Sequence, residues 1–183
     1  APYMVMHSHS DPVELIPWYQ FTLKLNPNLE RLYTLGAFFM ADFAKEPRKA
    51  VQLLEAGVET NPWTFEIRAA LGRHLFDYHQ QLGIPPQQAY EQAAEVLREA
   101  VANAKAEQAR LKDNHSNLDD YQNQLMQESY LFLAKSLTEL GQYEEALAVC
   151  DEGFQTTSYN LLRVQKRITI KRMEEERTPS AEE

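Results

Sequence analysis

Apolar side chains return along this chain at helical steps of three and four, in blocks separated by short polar breaks. Leu29, Leu32, Leu35, Gly36, Phe39, Met40 and Phe43 form the first clear block and describe one stripe on a helix surface. Lys45-Glu46-Pro47 interrupts it, since proline disfavours helix in the residue before it and suits the first turn of a new one. Ala50, Val51, Leu54, Gly57 and Val58 then repeat the stripe, so the two blocks predict an antiparallel helical hairpin. A second hairpin opens after Pro62 with Phe65, Leu71, Gly72, Leu75 and Phe76, and Gly83-Ile84-Pro85-Pro86 stops its first helix. Its return helix carries Tyr90, Ala93, Ala94, Leu97, Ala100, Val101 and Ala104. The third hairpin runs through Leu133, Ala134 and Leu137 to Gly141, then Tyr143, Ala146, Cys150, Gly153 and Phe154, where small residues let two helices approach closely.

A longer period lies over the helical one. Asn26-Pro27 and Asn61-Pro62 are the same dipeptide 35 positions apart, and each suits an Asn cap followed by proline in the first helical turn. The order of large, small and aromatic sites through Leu133-Ala134, Leu137, Gly141, Tyr143, Ala146, Cys150 and Gly153 resembles the tetratricopeptide (TPR) repeat, whose period is about 34 residues. Leu32, Leu35, Gly36, Phe39, Ala50, Leu54, Gly57 and Pro62 match the same pattern after two extra residues are allowed in the turn. The second copy departs from it, with Arg68 where a tryptophan or another large apolar residue is usual.

The resemblance implies an all-α fold: a right-handed α-solenoid of about three TPR-like hairpins, residues 28–62, 63–104 and 124–158. Residues 13–27 resemble the second helix of an incomplete repeat, with Leu15, Tyr19 and Thr22 at its packing sites. Residues 160–177 resemble the polar closing helix of such stacks, with Leu161, Val164 and Ile168 inward. Residues 1–12 form an amino-terminal extension, and 178–183 read as a disordered tail.

Residues 105–123 do not belong to the repeat. The helix-forming run Ala-Glu-Gln-Ala-Arg-Leu-Lys favours two extended helices over a disordered loop, running to about Leu111 and back from about Leu118 around Asp113-Asn114-His115-Ser116-Asn117. Ala104, Gln108 and Leu111 would then face Leu118, Tyr121 and Leu125 across a projecting hairpin.

Composition narrows the function classes. The formal charge of −9 repels phosphate backbones and anionic lipid, so nucleic acid is a poor partner. No run approaches the roughly 18 apolar residues of a membrane span, and no signal peptide is visible. The chain begins Ala1-Pro2, which suits a processed amino terminus, a lost upstream anchor or a truncation, and leaves the compartment open. Resemblance to bacterial repeat proteins with an amino-terminal anchor suggests an envelope or membrane-associated assembly. Cys150, the one cysteine, sits among Ala146, Leu147, Ala148 and Val149 and reads as a small buried hydrophobe rather than a ligand or nucleophile.

Catalytic constellations are missing from the sequence. His7 and His9 could present two imidazoles on one side of an extended chain, but with Asp11 the nearest carboxylate they do not define a metal site. His74 and His79 stand five apart and read as surface or groove residues. No glycine-framed serine, paired carboxylates or phosphate-binding loop is present. Neither enzyme activity, cofactor nor metal is therefore expected.

The expectation is a scaffold or adaptor that holds another protein on the concave face of the solenoid, on the projecting hairpin, or on both. Tyr33, Ala37, Arg68, Arg73, Ser129 and Phe132 are assigned to that face. Trp18 and Phe21, from an aromatic cluster expected to be mostly core, are assigned to the open amino-terminal end. One TPR subgroup grips acidic chaperone tails with basic and amide side chains; this chain has Tyr33, Ala37, Ala70, Glu128 and Phe132 at those places, so that clamp is absent. Arg163, Lys166, Arg167, Lys171 and Arg172 read as the solvated side of the closing helix. The alternative is a structural subunit that stacks on its own copies through the apolar amino-terminal end.

Overall fold

The computed structural model describes residues 12–177, and every element among them is helical. After a 3-10 turn at Pro12–Leu15 come α1 (Ile16–Leu25), α2 (Glu30–Phe38), a π turn (Phe39–Phe43), α3 (Pro47–Thr60), α4 (Phe65–Leu82), α5 (Pro86–Asp113), α6 (Asp120–Glu139), α7 (Tyr143–Thr157) and α8 (Asn160–Arg177). The assignments made from sequence to His7, His9, Asp11 and the residues after Arg177 fall outside the described residues.

Each helix from α2 to α8 packs on the one before it, and α2 packs also on α4, α4 on α6, and α6 on α8. No comparable contact joins α3 to α5 or α5 to α7. The helices thus lie in two rows, with the even-numbered row drawn together. One apolar cluster runs through both, from Leu23 and Tyr33 by way of Leu54, Ile67 and Leu97 to Leu137 and Leu162.

The pairing depends on a recurrent notch. A Cβ at Gly57 of α3 would stand 2.7 Å from the Tyr33 ring of α2, and a Cβ at Gly153 of α7 would stand 2.7 Å from the Tyr130 ring of α6 and 2.8 Å from Leu162 of α8. Each aromatic knob occupies space that only a side chain of hydrogen leaves open.

Repetition is also visible in hydrogen bonds. Asn61 Nδ2 donates to the carbonyl of Pro27 at 3.1 Å, and Thr64 Oγ1 donates to Glu30 at 2.6 Å. Both bonds span 34 residues and join one inter-hairpin turn to the next. They correct the reading of the Asn-Pro pairs as helix starts. Asn26 and Asn61 close α1 and α3, and the following helices begin only at Glu30 and Phe65. Their side chains are better used across the turn, because Asn61 Nδ2 also reaches the carbonyl of Gly57 in the last turn of α3.

Between Ala104 and Tyr130 the chain is helical except for a turn from Asn114 to Asp119. Asp119 caps α6 by accepting from Gln122 N at 2.8 Å, while Gln122 Oε1 accepts from Asp119 N at 3.1 Å. The start of α6 leans back on the earlier helices: Asp119 pairs with Arg31, Tyr121 meets Thr34 at 2.6 Å, and Gln122 donates to Glu66 at 2.8 Å.

The closing helix is turned from its expected orientation. Leu161, Val164 and Ile168 face solvent, while Leu162, Gln165 and Thr169 are buried. Leu162 fills the space left by Gly153, and the buried hydroxyl of Thr138 bonds Thr169 at 2.8 Å and accepts from Gln165 at 3.2 Å. Rotating α8 to bury the apolar stripe would withdraw Leu162 from the space beside Gly153 and part Thr138 from Gln165 and Thr169.

Gly153→Ala places a methyl against Tyr130 and Leu162 and should destabilise the fold by about 1–3 kcal/mol in urea unfolding. An unchanged midpoint would show that the notch relaxes freely.

Candidate protein-binding face

The even-numbered row carries a cavity of about 250 Å³. α2 supplies Thr34, Leu35 and Phe38, α4 supplies Ala70, Arg73, His74 and Tyr78, and α6 supplies Tyr121, Gln124, Leu125 and Glu128. Asp42 completes the wall from the π turn. There Ala44 N bonds the carbonyl of Phe39 at 3.0 Å and Glu46 N that of Met40 at 2.8 Å, so the widened turn re-aims the chain before Pro47. It presents Asp42 to Tyr78, whose hydroxyl donates to Oδ1 at 2.7 Å.

The charged groups in this wall are largely tied to one another. Arg73 bonds Asp77 at 3.3 Å and Glu128 at 3.1 Å, and its guanidinium lies 5.6 Å from the centre of the Phe132 ring. Gln124 donates to the other oxygen of Glu128 at 2.9 Å. Burial, followed by the bond to Asp42, pushes the Tyr78 hydroxyl up to about 12, so it keeps its proton and serves as a donor. Burial likewise raises Tyr121 and Glu66.

His74 is the exception. Its Nδ1 stands 2.8 Å from the carbonyl of Ala70, which requires the proton on that nitrogen. Nε2, on the far side of the ring, is then a lone-pair acceptor; it is buried and has no partner. Burial holds the imidazole below its ordinary range, the bond to Ala70 opposes that shift, and Arg73 adds to it.

Of the residues assigned to this face from sequence, Arg73 lines the cavity and Tyr33, Ala37, Arg68, Ser129 and Phe132 are buried. Tyr33 is committed to the space beside Gly57, and Ala37 is wholly enclosed. Arg68 bonds Glu99 at 2.9 Å and the carbonyl of Thr64 at 3.3 Å. Ser129 Oγ bonds the carbonyl of Leu125 at 2.8 Å, and Phe132 lies under Lys135 with the ammonium 4.4 Å from its centre. On α2 and α6 the assignment runs about one residue out of phase, since Thr34, Phe38 and Glu128 line the wall beside Tyr33, Ala37 and Ser129.

Asp42, Tyr78 and Tyr121 were not assigned to this face. Tyr78, four residues after His74, was readable as a shared helical face. Asp42 was not, because a π turn has no period of its own.

Exposed apolar residues lie on both terminal helices and also between α3 and α4, where Trp63 is 86% exposed. Trp18, Phe21 and Leu25 are exposed along α1, with Trp18 at 68%, and the wider aromatic cluster is less buried than expected. Of Trp18, Tyr19, Phe21, Tyr33, Phe38, Phe39 and Phe43, Tyr33 alone is buried; Phe38 and Phe43 are half exposed, and Tyr19 stacks on Phe39 at 5.7 Å. Cys150 is buried, and that burial pushes its thiol up to about 11, so it is not a nucleophile at neutral pH. Among the described residues no three His, Cys, Asp or Glu gather as a metal site, and no helix is long and apolar enough to cross a membrane. Compared with models of known protein families and with curated proteins, the chain matches none of them.

His74 sets a pH dependence of stability. Arg73, Asp77 and Tyr78 on its own helix, Asp42 from the π turn, and Tyr121 and Glu128 from α6 surround it. The folded imidazole is held neutral and the unfolded one titrates near 6.5, so below that pH the unfolded chain takes up a proton the folded chain refuses. The contribution is complete above 6.5 and declines as pH falls, by up to about 1.4 kcal/mol per pH unit. Urea unfolding from about pH 5 to 8 should show this slope in the wild type and a smaller one in His74→Gln; equal slopes would exclude a buried neutral histidine.

Proposed function

We propose that this chain is a right-handed α-solenoid of TPR-like hairpins that acts by binding a protein partner on the face formed by α2, α4 and α6, and not by catalysis. The observation that carries this reading is the cavity shared by three helices that are successive in the even-numbered row. Contacts along that row and not along the other suit a stack curved towards it, and a concave face accepts an extended segment or a helix. Bonds of 34-residue span between successive turns support the repeat assignment. Leu35 and Phe38 give the face exposed apolar area beside polar groups already held in place, a combination that favours recognition.

Titrating the labelled chain with a pool of mixed-sequence extended peptides should shift amide resonances on α2, α4 and α6. Phe38→Ser should weaken binding by about 1–2 kcal/mol. Shifts confined to α1 and α8 would sink the reading.

A second reading is supported by one feature. Trp18, Phe21 and Leu25 on α1 and Leu161, Val164 and Ile168 on α8 are exposed stripes of identical spacing at opposite ends of the chain. A heterologous contact between them would propagate without closing, making the protein a self-assembling structural subunit. Light scattering after size-exclusion chromatography separates the two. A mass of 21.2 kDa at every concentration leaves the adaptor reading alone, whereas a rising mass that Val164→Glu abolishes assigns stacking.

A further inference from the structure

We propose that the cavity between α2, α4 and α6 is a subsite for a basic side chain, lysine or arginine, of the bound protein; this rests on the reading of that face as the binding surface.

Three features of the wall point to a cation that donates hydrogen bonds. Asp42 and Glu128 line the cavity with a single guanidinium, that of Arg73, which leaves one negative charge in excess on the wall. Arg73 is already engaged by Asp77 and Glu128, so it is poorly placed to receive an anion. His74 lines the cavity at 7% exposure, and its unpartnered Nε2 lone pair can only accept. A neutral imidazole and carboxylates welcome N–H groups and repel acidic ones.

The rest of the wall fits the stem of such a side chain. Leu35 and Leu125 are apolar, and Phe38 offers a half-exposed ring. The ring quadrupole attracts a cation within about 6 Å of its centre. Tyr121 already holds Arg31 in this way, 5.2 Å from its ring, so the same wall supports one such contact. At the scale of the whole molecule, a charge of −9 steers a basic partner inward. Lysine and arginine combine an apolar stem with a head that only donates, and the cavity offers apolar walls with acceptors.

The test uses the full chain and four synthetic nonapeptide pools, their flanks randomised over Ala, Ser, Gln and Leu and their centre fixed as Lys, Arg, norleucine or Glu. Fluorescence anisotropy should give the Lys and Arg pools an advantage of about fivefold or more over norleucine, and leave Glu weakest. The advantage should shrink at high salt. Asp42→Asn should reduce it to about twofold or less, while Tyr78→Phe, which keeps the charge but loses the bond to Asp42, should preserve it. The nitrogen resonance of His74 Nε2 should move with the Lys and Arg pools alone. Equal binding of the four pools, or preference for norleucine or Glu, overturns the basic subsite and leaves the binding face standing. If no pool binds, both fall.

Discussion

The close approach of paired helices at Gly57 and Gly153 is the constraint on which the rest of the structure depends. Tyr33 and Tyr130 are large side chains enclosed between two helices, and each needs the space that a glycine on the return helix leaves. Once the aromatic knob is seated, the rotation of both helices about their axes is fixed, because interiors pack at crystal-like density and tolerate little slippage. The rotation decides what the next row meets. On α2, turning Tyr33 inward puts Thr34 and Phe38 on the cavity wall; on α7, the Gly153 notch receives Leu162 and so sets the face that α8 buries.

Polar groups tie the hairpins together where apolar packing is indifferent to register. Asn61 and Thr64 bridge successive turns, Tyr78 holds the π turn through Asp42, and Tyr121, Gln122 and Asp119 fix the start of α6 to α2 and α4. The exposed ion pairs, such as Arg98 with Glu145, each contribute little by comparison. What the bridging bonds provide is position. A wall whose donors and acceptors are already held loses less freedom when a partner docks.

Both terminal helices present apolar surface to solvent. α1 exposes Trp18, Phe21 and Leu25, and α8 exposes Leu161, Val164 and Ile168, so each terminal helix buries one side and presents a second apolar stripe. On α8 this follows from burying Gln165 and Thr169, which bond each other and Thr138. The basic residues counted as a solvated strip are partly engaged: Lys166 bonds Asp151 at 2.6 Å, Arg172 bonds Glu139 at 2.7 Å, and Arg163 lies 3.9 Å from the Phe154 ring centre.

Spacing of apolar residues by itself determined the all-helical class, the breaks at Lys45-Glu46-Pro47 and Gly83-Ile84-Pro85-Pro86, and the extent of the helices on both sides of Asn114, because periodicity, proline sterics and helix propensity act between neighbours in sequence. It also showed that Cys150 would be buried. Only the tertiary structure decided which of two adjacent residues turns inward. Tyr33 and Thr34, Ser129 and Glu128, Leu161 and Leu162 are pairs about 100° apart on a helix, and both members of a pair fit an amphipathic pattern. The choice between them rests on a notch or a buried hydroxyl contributed by another helix, tens of residues away. For the same reason the cavity was not legible: Asp42 reaches it through a π turn, and His74 lies against groups from α2, α4 and α6 that only packing brings together.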